Sequence, residues 1–170
     1  GMNMGTRFMA TKEAPIHDNV KQALVAASEL DTRLVMRPLR NTERVLRNAA
    51  VDVLLQKERE LGANLKFEDI IEQVAGVYPK IMLEGTMDAG AWSCGMVAGL
   101  IHDIPTCKQL IDRIMAEADS IIHQRLAGLY ALVGRLKEAR SALLNALTLR
   151  PDAAGWHAQM SEICARLGMH

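Results

Sequence analysis

Apolar residues in this chain recur at three- and four-residue steps far more than at alternate positions, so the elements they predict are mostly helices. After Pro15, the positions Val20, Ala23, Leu24 and Ala27 share one face, predicting a first helix over 15–30 with Pro15 in its first turn. The period lapses over 33–39, where Pro38 pushes Arg37 out of the α region and Leu34-Val35-Met36 reads as an extended link. Asn41 is a suitable N-cap for the next helix, which carries Val45, Leu46, Ala49, Ala50, Val53 and Leu54 and stops at Gly62. A short amphipathic helix is expected over 67–75. Residues 77–90 read as loop, with a short strand over 80–84. A short helix over 92–101 holds Gly95, Ala98 and Gly99. Glycine costs about 1 kcal/mol inside a helix, so close packing against another backbone or a flat ring is expected there. Pro105-Thr106 opens a long helix whose stripe, Leu110, Ile111, Ile114, Met115, Ala118, Ile121, Ile122 and Leu126, reads as core.

A different pattern begins near Leu126. Leu126, Ala127, Tyr130, Gly134, Ala139, Leu143, Ala146 and Pro151 fall at the spacing of a tetratricopeptide repeat, and the signs recur 34 residues on at Met160, Cys164 and Gly168. Trp156 sits one place off and Cys164 stands where an aromatic is usual, so the second unit is incomplete. The chain therefore divides into residues 1–125 and a tetratricopeptide-like helical tail over 126–170. One and a half repeats are too few for an independent solenoid, so the tail is expected to pack on other helices or on another chain. The architecture predicted is mostly α, with six or seven helices, terminal helical hairpins and one short strand at the start.

Composition narrows the function classes. Lys plus Arg and Asp plus Glu both number 20, so the zero net charge gives no electrostatic case for nucleic acid or an anionic membrane. Three widely spaced cysteines, Cys94, Cys107 and Cys164, argue against a disulfide framework and for a reducing cytoplasm. No apolar run has the length of a membrane span, and no signal peptide is visible. The 170 residues fall short of the roughly 250 of a complete (β/α)8 barrel. His102-Asp103 lacks the further ligands a metal site needs. Glu68 and Glu72 share a helical face, where a solvated surface is commoner than acid/base chemistry. Arg37, Arg40, Arg44 and Arg47 read as solvated charge, with contact to a phosphate or another domain as the functional alternative.

The opening segment, Met4-Gly5-Thr6-Arg7-Phe8, is the best candidate for chemistry. Gly5 admits close approach of a ligand, and the amides of Gly5, Thr6 and Arg7 can face an anion with the Thr6 hydroxyl beside them. Taken alone, an ordinary strand or strand-to-helix turn is the commoner meaning of such a segment. However, Met4 to Phe8 and Ala10-Thr11-Lys12-Glu13-Ala14-Pro15-Ile16-His17 together resemble the eighth-strand phosphate segment of the nitronate monooxygenase (2-nitropropane dioxygenase) family. The resemblance continues through Met36-Arg37-Pro38-Leu39-Arg40-Asn41-Thr42-Glu43-Arg44-Val45 and Trp92-Ser93-Cys94-Gly95-Met96-Val97-Ala98-Gly99-Leu100-Ile101, and fades near Leu126.

That resemblance implies the helical C-terminal region of an FMN (β/α)8-barrel oxidoreductase lacking most of the barrel. It implies that Met4, Gly5, Thr6 and Arg7 hold the FMN phosphate, and that Trp92, Ser93 and Met96 line the substrate pocket. The reaction implied is FMN-dependent oxidation of an alkyl nitronate by dioxygen. The family's glycine-rich partner loop and substrate-side histidine fall upstream of Gly1. None of His17, His102, His123, His157 or His170 lies in a matching block as that residue, so no catalytic residue and no metal is assigned. Half a phosphate cradle is expected to bind FMN weakly, so the chain alone is not expected to be catalytically complete. The alternative of a different class is a non-enzymatic helical interaction module that buries its Met-rich apolar faces by self-association or against a protein partner.

Overall fold

The computed structural model describes residues 4–169 and folds into two compact units, Gly1–Cys107 and Lys108–His170. The chain is mostly α, with eight α-helices and two strands among the described residues.

In the first unit, residues 5–9 form a short helix, α1 (Gly5–Met9), where a strand was expected; the apolar opening at residues 1–3 lies outside the described residues. The Phe8 N–H closes the first turn on the Met4 carbonyl, and side chains take the carbonyls at the other end. The Thr11 hydroxyl donates to Phe8 O at 2.7 Å and Arg7 to Ala10 O at 3.3 Å. Helix α2 (Asp18–Ala26) starts three residues after Pro15 because the His17 ring accepts the Asn19 N–H and caps it. It stops short of residue 30 because the Asp31 carboxylate takes the Ser28 N–H and hydroxyl, closing a turn instead.

Strands β1 (Thr32–Val35) and β2 (Glu43–Leu46) pair antiparallel, Thr32 opposite Leu46 and Val35 opposite Glu43. The helix expected from Asn41 therefore begins later, as α3 (Ala49–Leu61). Asn41 instead donates its N–H to Met36 O in the connecting turn, where Met36 and Arg40 take φ values of 58° and 54°. The cap is Asn48: its side-chain oxygen accepts the Val51 N–H at 2.9 Å, and its amide donates to the Met87 and Gly90 carbonyls. Gly62 ends α3 as expected, at φ 53°. Helix α4 (Phe67–Val74) lies where the pattern put it. Helix α5 (Tyr78–Met82) replaces the strand expected over 80–84, with Pro79 in its first turn.

Residues 92–94 are extended rather than helical and run along β2. The Leu46 N–H reaches Trp92 O at 3.4 Å, and the Cys94 N–H reaches Arg44 O at 3.0 Å. The helical part of the 92–101 block is a single 3-10 stretch, Met96–Leu100. Two apolar clusters fill this unit. One gathers Val20, Leu24, Ile81, Ala98 and Ile101 around Trp92; the other joins Val35 and Val45 to Val51, Leu54 and Ile70 of α3 and α4. The close approach expected of the glycines is present at Gly99, where an added Cβ would lie 2.4 Å from the Glu29 backbone nitrogen.

The second unit consists of α6 (Cys107–Leu132) from its second residue on, α7 (Leu136–Leu149) and α8 (Ala154–Arg166). Alanines at 127, 139, 142 and 146 let the helices approach, and Leu143, Leu147 and Ile163 fill the seam beside Tyr130 and Trp156. Gly134, at φ 77°, makes the left-handed turn into α7. The stripe of α6 expected to be core is not. Of it only Leu110 is buried, while Ile111, Met115, Ile121, Ile122 and Leu126 are exposed. Periodicity identified an apolar face without showing that a partner covers it.

Adding a methyl at Gly99 must displace backbone, so Gly99→Ala is expected to destabilise the first unit by about 1–3 kcal/mol. Urea denaturation of the variant and the parent checks this. An unchanged midpoint would mean the contact with Glu29 relaxes freely.

Candidate functional site

Met4, Gly5 and Thr6 form one wall of an open pocket of about 410 Å³, and Gly95, Met96 and Val97 form the other. Its size is within the range of small-molecule sites. The two walls are tied by one hydrogen bond, from the Gly95 N–H to the Thr6 hydroxyl oxygen at 2.9 Å. Accepting that bond fixes the oxygen and leaves the hydroxyl proton to be donated. A Cβ added at Gly95 would lie at ordinary van der Waals distance, 3.4 Å, from the Thr6 hydroxyl oxygen. The walls meet at Thr6 and Gly95 and offer a donor to an acceptor-only group. The residues present fit the phosphate end of FMN.

The other residues singled out from the sequence are placed differently. Arg7 turns from the pocket to Asp103, donating to its carboxylate at 2.7 Å and to its carbonyl at 3.2 Å. Of Trp92, Ser93 and Met96, only Met96 lines the pocket. Trp92 is fully buried in the first apolar cluster, and its indole N–H has no hydrogen-bond partner among the described residues. Ser93 points to a surface cluster. It donates its backbone N–H to the Tyr78 hydroxyl oxygen at 3.0 Å, and its hydroxyl lies 2.8 Å from the same group and donates to the Glu43 carboxylate. That cluster anchors α5 and β2 to the segment carrying Gly95. Nothing in the spacing of Glu43, Tyr78 and Ser93 along the chain announces it.

Of the arginine cluster, Arg44 donates to the Thr32 hydroxyl at 2.8 Å and Arg47 pairs with Asp52 at 3.0 Å, which leaves Arg37 and Arg40 at the exposed tip of the hairpin. Among the described residues no three His, Cys, Asp or Glu side chains gather as a metal site would require, and no helix is long and apolar enough to cross a membrane. His170 lies outside the described residues. The cysteines are all free thiols. Cys94, between Trp92 and the pocket wall, is buried, and burial pushes its thiol up to about 11.

The family model of nitronate monooxygenase matches residues 1–117, and the chain belongs to that family of oxidoreductases. Two curated relatives, from Rhodococcus jostii (strain RHA1) and Mycobacterium tuberculosis, are each named (3aS,4S,5R,7aS)-5-hydroxy-7a-methyl-1-oxo-octahydro-1H-indene-4-carboxyl-CoA dehydrogenase. They are 28% and 26% identical over alignments covering 69% and 75% of this chain, and 43% and 45% of their own length. Among solved structures, FabK from Thermotoga maritima is similar, with a TM-score of 0.57 and 32% identity over 64% of this chain and 33% of that one. The chain spans under half the length of these curated relatives and a third of the solved one.

Burial of Cys94 has a pH consequence. An exposed thiol in the unfolded chain ionises near 9.0, below the raised folded value of about 11. The stabilisation is therefore complete below pH 9 and is lost as pH rises through that window, because the unfolded chain releases its proton first. Cys94→Ala removes the linkage. The stability difference between parent and variant is expected to shrink from about pH 8 to about pH 10.5, measured by urea denaturation at each. A difference that stays constant with pH would count against it.

Proposed function

We propose that this chain is the C-terminal portion of an FMN-dependent oxidoreductase, contributing one side of the phosphate-binding end of the flavin site. The observation that carries the reading is the pairing of Thr6 with Gly95 across a pocket whose walls are both in blocks that match the family. The Thr6 hydroxyl would donate a hydrogen bond to a phosphate oxygen, the Gly95 N–H holds that hydroxyl in place, and Met4 and Gly5 complete the same wall. Arg7, engaged by Asp103, orders the turn after α1 rather than meeting the phosphate directly. Met96, exposed at the pocket's far wall, is the nearest of the candidate substrate-side residues. When bound, the flavin supplies the electron transfer. The remainder of its pocket belongs to the barrel, in keeping with the 43–45% of the curated relatives' length that the match covers.

The substrate reading follows the family: an alkyl nitronate oxidised with dioxygen. The curated relatives' names point instead to a fused-ring acid carried as a CoA thioester, and assay of both compound classes separates them. A second reading, a helical interaction module with a tetratricopeptide-like tail, is favoured by one observation. The second unit leaves Leu129, Leu132 and Val133 exposed in a group.

The test is an equilibrium titration of FMN fluorescence with rising protein concentration. Weak but saturable binding is expected. Thr6→Val removes a hydrogen bond to a charged group, about 1.5–3 kcal/mol, so its FMN affinity is expected to drop ten- to a hundredfold. Thr6→Ser should keep most of it. No saturable binding, or equal affinity for all three proteins, rejects the site.

A further inference from the structure

Within the second unit, one face of α6 is covered by neither α7 nor α8. Ile111, Met115, Ala118, Ile122, Leu126, Leu129 and, just past the helix end, Val133 succeed one another at steps of four, three, four, four, three and four residues. At about 100° per residue they stay within about 40° of a single line, a row about 33 Å long. All but Ala118 are exposed, Leu129 by 60% and Val133 by 70%. The buried side of the same helix, at Ser120 and Ala127, faces the other way. A continuous row of about three heptads differs in kind from the scattered apolar residues usual on a monomer's surface.

The spacing is the same read in either direction from Ile122, and this symmetry identifies the occupant. Laid antiparallel, a second copy sets Ile122 beside itself, Leu126 against Ala118, Leu129 against Met115 and Val133 against Ile111. Bulky meets small next to the centre, as close helix packing requires. A face that complements its own reverse is what a twofold-symmetric interface needs.

The edges of the row fix the direction. One edge is polar, with Asp112, Asp119 and His123; the other is apolar, with Ile114, Ile121 and Leu132, the last 84% exposed. In an antiparallel twofold pair each edge meets its own counterpart. Apolar then lies on apolar, and Asp119 of one chain lies near His123 of the other. In a parallel pair the polar edge would lie against the apolar one, setting Asp112, which is paired with Lys108 of its own chain, beside Ile114 and Asp119 beside Ile121, and losing the contact of apolar edge with apolar edge. Arg125, also on the apolar edge, can lay its stem along the partner and keep its guanidinium in water.

We propose that this face is a homodimer interface, with α6 of two copies packed antiparallel about a twofold axis at Ile122. The proposal is independent of the flavin reading, since a colourless dimer and a yellow one satisfy it equally. The test is the molar mass of the purified chain by light scattering after gel filtration. Twice the chain mass of 18.7 kDa is expected. Ile122→Glu is expected to give the monomer with an unchanged far-UV circular dichroism spectrum. Cross-linking reads the direction without a disruptive charge. With Cys107 and Cys164 replaced by serine, Ile122→Cys should form a disulfide-linked dimer on its own. Ile111→Cys should link to Val133→Cys when the two proteins are mixed, and not to itself. A monomeric parent chain, which is what coverage of the row by another part of the protein or by a different protein would give, overturns the proposal. So does a dimer that survives Ile122→Glu, or Ile111→Cys linking to itself.

Discussion

The first unit depends on the seating of one extended segment, residues 92–95, against β2. Two backbone hydrogen bonds attach it, between Leu46 and Trp92 and between Cys94 and Arg44, and side chains alternate across it. Trp92 and Cys94 point inward to the apolar cluster, while Ser93 points outward to Tyr78 and Glu43. Because a strand's side chains alternate strictly, a slip of one residue would bring Ser93 into the core and Trp92 to the surface. The same register delivers the Gly95 N–H to Thr6. Core, surface cluster and pocket wall are therefore set together, and the pocket inherits its geometry from the packing of an indole several residues away.

The sequence revealed most where a single residue type carries a backbone requirement. Gly62 as a helix stop and the close approach at Gly99 rest on such requirements, and the structure has them. It misled where a short apolar run fits two periods. Val45 and Leu46 sit as well on a helical stripe as in a strand, and only the non-local partners, β1 and residues 92–94, decide for the strand. The helix over residues 5–9 was hidden for a related reason. Its C-terminal carbonyls are satisfied by the side chains of Arg7 and Thr11, and an isolated five-residue helix has no period to read.

The candidate site was legible in part for the same reasons. The segment at Met4, Gly5 and Thr6 stood out through resemblance, and the structure places it beside Gly95 and Met96, a pairing across nearly ninety residues that no local pattern encodes. The long helix α6 shows the converse limit. Apolar positions along α6 are regular enough to predict a core, yet the stripe lies at the surface, because periodicity reports an amphipathic face and says nothing of what, if anything, lies against it.

The lone indole N–H of Trp92 has a consequence of its own. A buried donor without an acceptor is a standing cost, so the residue is held in place by its volume and not by its polarity. With no exposed atom and no hydrogen bond to trade, that proton can reach solvent only when the cluster around it opens. Its exchange with deuterium is therefore a built-in clock for the breathing of the first unit, read from a single resonance.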